Sequence, residues 1–179
     1  MKKPGRLLIV GLVVGVTVGY VITFGNKSSM RDIPRLDGPP TVGKEISNFS
    51  LVDLDGKKIS LVDFSGKPII INFWATWCPP CKNEIPLLQE FSKVYQESAA
   101  MIGINVMESN TVVKEFVKMN EITFPILLDS DGRIQETYRI IGLPTTYFVD
   151  ENKILRAQHI GALDEILING YGNMIGLSQ

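Results

Sequence analysis

A chain of 179 residues, 45% of them hydrophobic, is long enough for one ordinary domain with a substantial core plus an appendage. Three of its 18 basic residues, Lys2, Lys3 and Arg6, stand within the first six positions, well ahead of the first acid, Asp32, so the remainder is more acidic than the net charge of −1 suggests, which argues against nucleic acid as a partner. Two cysteines, Cys78 and Cys81, and one histidine, His159, exclude a disulfide framework and leave a tetrahedral zinc shell one ligand short.

Leu7 to Phe24 is a run of eighteen uncharged residues, broken only by the mildly polar Thr17, Tyr20 and Thr23. As a helix it spans about 27 Å, close to the hydrocarbon thickness of a bilayer. A cleaved signal peptide is the rival, but its apolar region is about 7–15 residues long and ends at an Ala-x-Ala-like site. No alanine occurs here before Ala75, and no cysteine stands just after the run to carry a lipid. Residues 1–25 are therefore expected to be a short cytoplasmic start and one transmembrane signal-anchor in the cell membrane. The basic start places the N-terminus in the cytoplasm and the rest of the chain on the extracytoplasmic side; Lys27 and Arg31 oppose this but are outnumbered. Residues 26–45, rich in Gly, Pro and charge, read as a linker, and 46–179 as the folded domain.

Within that domain, Phe49–Leu54 and Lys58–Leu61 flank Asp55-Gly56, a hairpin signal. Pro68–Trp74 is an almost continuous apolar run of strand length, as in a central strand covered on both faces. From Asn83 to Tyr95 the apolar positions Ile85, Leu88, Phe91 and Tyr95 fall at helical spacing. A strand at Met101–Val106 and a helix at Asn110–Met119, with Asn110 as its cap, come next. Pro125–Leu128 predicts a short strand, Gln135–Tyr138 a short helix, Thr145–Val149 and Ile154–His159 two more strands, and the last helix starts around Asp164. This order predicts an α/β fold with a central mixed sheet and helices on both faces.

Cys78 and Cys81 stand where the buried strand turns into a helix. At a helix N-terminus, free N–H groups and the dipole favour a thiolate, so Cys78 is the expected nucleophile. Cys81, one turn further in and shielded, is the expected resolving thiol. Pro79 and Pro80 stiffen the loop between them and remove two N–H donors from the neighbourhood of Cys78. The spacing alone does not fix the direction of electron flow, since dithiols of this kind span about −270 to −120 mV. An oxidase or isomerase, a peroxidase of related fold and a non-catalytic adaptor remain as alternatives.

Phe73-Trp74-Ala75-Thr76-Trp77-Cys78-Pro79-Pro80-Cys81 resembles the active-site signature of the thioredoxin superfamily, and Gly142–Val149 resembles the segment that carries its cis-proline. The likeness extends over about residues 40–170. More narrowly, Cys81–Pro86 and Asn105–Ser109 are similar to the TlpA/ResA branch of anchored extracytoplasmic proteins. The resemblance implies a thioredoxin-like fold with an N-terminal β-hairpin and a protein-disulfide reductase that needs no cofactor and no metal. It implies electrons from a membrane thiol–disulfide donor and, as substrates, disulfide-containing proteins such as apocytochrome c or spore-envelope proteins.

By the same resemblance Pro144 is cis beside the cysteines and exposes the backbone of Leu143 to a substrate strand. Glu84 lies one turn past Cys81, within reach of the dithiol. The superfamily's usual buried Asp is replaced here by Asn72, which makes Glu84 the expected proton relay for Cys81. Glu108 is expected to border the site, and Trp74 and Trp77 to serve packing and the rim.

Overall fold

The computed structural model describes residues 38–177, and its architecture is a seven-stranded sheet in the order β2-β1-β5-β4-β3-β6-β7. The strands are β1 (Ser50–Asp53), β2 (Lys58–Ser60), β3 (Ile69–Trp74), β4 (Ala100–Val106), β5 (Ile126–Asp129), β6 (Thr145–Val149) and β7 (Leu155–Ile160). Between and after them run helices α1 (Pro79–Val94), α2 (Asn110–Met119), α3 (Arg133–Thr137) and α4 (Glu165–Met174). β3, β4 and β5 are parallel to one another, and the outer pairings are antiparallel, so the sheet is mixed. This is the thioredoxin-like arrangement that the resemblance implied.

The apolar run Ile69–Trp74 becomes β3, and all six of its residues are buried. Its side chains alternate between two covered faces. Asn72 points towards α1, where it meets Glu84, while Phe73 packs on Tyr138 and Tyr147. α1 and α4 share the first face, with Phe91 against Gly172 and Tyr171 stacked on Phe148. Tyr138, at the end of α3, and Phe49 close the second. Gly103 on β4 is required by close approach: a Cβ there would stand 2.6 Å from the Ile126 side chain and 3.0 Å from Trp74 Nε1.

α1 begins four residues earlier than its apolar periodicity indicates. Pro79 and Pro80 occupy its first positions, where a missing N–H costs nothing and a fixed φ suits the helix. The cap of α2 is Ser109 rather than Asn110, because Asn110 is already helical and its amide donates to the Leu54 carbonyl, tying the helix to the β1–β2 turn. In that turn the Asp53 carboxylate accepts from the N–H groups of Asp55 and Lys57, and Gly56 takes the left-handed φ of 82°. Gly43 donates to the Leu155 carbonyl and Ile46 to that of Lys153, so part of the 26–45 stretch lies along the β6–β7 turn. Leu7–Phe24 lies outside the described residues, and among the described residues no helix is long and apolar enough to cross a membrane.

Candidate active site

β3 ends at Trp74, and a short loop carries the chain into α1. Cys78 caps that helix and forms a disulfide with Cys81, the two Cα atoms 5.3 Å apart. The Cys81 N–H donates to Cys78 Sγ at 3.3 Å, so the first sulfur sits where the helix presents a free donor. Cys81 is completely buried and Cys78 almost so.

Glu84, one turn beyond Cys81, is also buried inside the domain. Its Oε1 accepts from Asn72 Nδ2 at 2.8 Å, and its Oε2 accepts from the Leu163 N–H at 2.9 Å. The same Asn72 amide donates to Thr146 Oγ1 at 3.0 Å. Burial raises the Glu84 carboxyl from about 4.5 to about 7, against the opposing pull of these two donors. A carboxylic acid poised near neutrality beside a dithiol is suited to take and return a proton. Asn72, the departure from the usual pattern, therefore occupies the strand position facing this acid.

Glu108 does not touch the sulfurs. Its carboxylate accepts from the Thr76 N–H at 2.7 Å, the Thr76 hydroxyl at 2.5 Å and Asn105 Nδ2 at 2.7 Å. It thus pins the loop two residues before Cys78 to the end of β4. The turn that aims it back is made at Met107, whose φ is 58°.

The Leu143–Pro144 peptide bond is cis, and Pro144 is buried while its carbonyl accepts from Gly161. Leu143 faces a groove of about 470 Å³ whose other wall holds Trp77, Cys78, Pro79 and Pro80. Val106, Met107, Gln135, Ile140, Ile141 and Gly142 complete the groove, and of these Gln135, Ile140 and Ile141 lie in none of the motifs read from the sequence. Trp77, expected at the rim, is 64% exposed, whereas Trp74 is buried against Phe116. His159 stands apart on β7, its ring beside Tyr171.

The sequence profile of the AhpC/TSA family matches residues 42–158. The chain belongs to that family. It is similar to the thiol-disulfide oxidoreductase ResA of Bacillus thuringiensis subsp. konkukian (strain 97-27), 43% identical over 154 residues that cover 84% of this chain and 85% of that protein. ResA of Bacillus subtilis (strain 168) is 34% identical over 183 residues, 98% of this chain and 96% of the relative. The solved structure of StoA from Bacillus subtilis superposes with a TM-score of 0.61 at 32% identity, covering 74% of this chain and 98% of that one. The activity of this AhpC/TSA member is that of a thiol–disulfide oxidoreductase, acting on disulfide-containing proteins.

Proposed function

We propose that the protein is a reductase of protein disulfides, held by its N-terminal segment on the extracytoplasmic face of the cell membrane. In the reduced form the Cys78 thiolate attacks one sulfur of the substrate disulfide, and the other substrate sulfur leaves as a thiolate. Cys81 then gives its proton to the Glu84 carboxylate and attacks the Cys78 sulfur. The Cys78–Cys81 disulfide closes, the substrate sulfur that Cys78 had attacked leaves, and the proton held by Glu84 is available to it. Two electrons pass from the dithiol to the substrate, and a membrane thiol–disulfide donor resets the pair.

The observation that carries this reading is the buried Glu84 carboxyl, raised to about 7 and set one turn from Cys81. Pro144 and Leu143 border the entrance used by the substrate strand, and Glu108 holds the loop that presents Cys78. Oxidised apocytochrome c and spore-envelope proteins are the substrates favoured by the resemblance to the TlpA/ResA branch. The apolar run Leu7–Phe24 and the basic start support residues 1–25 as start and anchor. The Gly- and Pro-rich composition of 26–45 supports a linker to the domain 46–179, with the end of the linker laid against the β6–β7 turn.

The test is the Cys78–Cys81 reduction potential, measured by equilibration in defined thiol–disulfide buffers. A value near or below about −240 mV is expected of a dedicated reductase, and one above about −180 mV would make the protein an oxidant or isomerase. The topology is checked by labelling reduced intact cells with a membrane-impermeant maleimide, which should reach Cys78 without lysis.

A further inference from the structure

Met107 is placed where a glycine would serve the backbone better. Its φ of 58° is left-handed, a conformation in which a Cβ crowds the following carbonyl and which glycine adopts freely. The turn has a clear purpose, because it follows the Met107 N–H bond to the Asp129 carbonyl and swings the Glu108 carboxylate back to Asn105 and Thr76. That purpose needs only the backbone at 107. Nor is the side chain there for the core, since Met107 is 66% exposed. It lies along Gly132, where an added Cβ would come 3.3 Å from Met107 Cγ and 3.4 Å from its sulfur, and from there it forms one side of the groove at Cys78.

Around the same opening stand Trp77, Ile141 and Leu143, the first two largely exposed. Gln135 is the one amide among these groove residues, and no charged side chain lines the groove. A cluster of exposed apolar groups beside a reactive sulfur, one of them kept at a conformational cost, marks a contact made with something that arrives. Methionine suits that contact because its unbranched, polarizable side chain adapts to different partners.

Resting on the reductase reading above, the geometry points to Met107 as a specificity-determining residue: with Trp77, Ile141 and Leu143 it receives a large apolar side chain adjacent to the disulfide-bonded cysteine of an extended substrate segment. The occupant follows from the lining. Cys78 requires a disulfide sulfur at the groove floor, and the walls offer apolar surface without a counter-charge.

The test uses the full-length chain in its reduced form and two short synthetic peptides, each closed by one disulfide and differing only in whether Leu or Ser follows the first cysteine. The wild-type protein is expected to reduce the Leu peptide with a kcat/KM roughly tenfold above the Ser peptide, as one filled apolar site allows. Met107→Gly should bring that ratio close to one, while Met107→Leu should keep it. The melting temperature of Met107→Gly should not fall, since relief of the left-handed strain offsets the greater freedom of glycine in the unfolded chain. A wild-type protein with no preference, or a Met107→Gly variant that keeps the preference, overturns the proposal. So does a variant that loses both peptides equally and melts lower, for then Met107 only shapes the loop. Hydroxyethyl disulfide, which needs the dithiol but no apolar side site, separates the two layers. If the wild type reduces it yet treats the peptides alike, only the role of Met107 falls; if it fails to reduce it, the reductase reading falls first.

Discussion

The two sides of the Cys78–Cys81 pair are built from opposite materials. Behind Cys81 lie polar groups removed from solvent: Glu84, Asn72, Thr146 and the Leu163 N–H, joined by three hydrogen bonds. In front of Cys78 lie apolar groups left in solvent, Trp77, Met107 and Ile141. Each arrangement is unfavourable by the ordinary rule of apolar inside and polar outside. Burial gives the acid a proton affinity matched to neutral pH, and the rim leaves apolar surface open to solvent. Under the proposed function, proton handling falls to the first side and recognition to the second.

The sharpest way to break this division is to remove the sulfurs in turn. Cys78→Ser should abolish disulfide reduction, to the background of an insulin-reduction assay, whereas an adaptor that merely presents a surface would keep its biological activity. Cys81→Ala should accumulate a mixed disulfide with substrate, visible as a band lost on reduction in a gel. Next in size, Glu84→Gln should slow reduction by about 10²-fold or more, the usual contribution of a positioned acid–base group. It should also remove an inflection near pH 7 from the rate profile, and an unaltered profile would disconnect Glu84 from the chemistry.

Glu84 also makes a stability prediction whose sign is unusual for a carboxylate. The folded state holds its proton up to about pH 7 and the unfolded chain only to about 4.5. The folded form therefore binds more protons between these values, and stability falls as pH rises through that window instead of growing. The oxidised protein should lose about 3 kcal/mol between pH 4.5 and 7 relative to Glu84→Gln, in urea titrations across the range. The slopes should be compared and not the levels. Both groups facing the carboxyl are donors, so a glutamine amide placed there meets its own cost. Smallest, Glu108→Gln should cost about 1–2 kcal/mol through weakened bonds to Thr76 and Asn105, read as a lower urea midpoint.

Much of the outline was legible along the chain. Ile69–Trp74 as a covered strand, the Asp55-Gly56 hairpin and the helix at Asn110–Met119 all follow from local periodicity and turn chemistry, and they stand where that chemistry places them. The start of α1 was harder, because two prolines interrupt the apolar period while being well suited to a first helical turn. Asn110 was misread as a cap since a side chain's local preference is silent about a carbonyl 56 residues away, at Leu54.

What the sequence by itself determined is the chemistry present: a dithiol at a strand-to-helix junction, an acid one turn on, and a proline after Leu143. Those are short-range facts, set by residue type and spacing. Only the tertiary structure decided how they are used. Leu163, 79 residues from Glu84, supplies the N–H on its second oxygen. Burial by α1, β3 and the loop before α4 is what moves that carboxyl to about 7. Met107, Ile141 and Trp77 become one rim only when β4, the cis segment and the α1 loop converge. Desolvation and convergence depend on which parts of the chain exclude water together, and no local stretch of sequence carries that information.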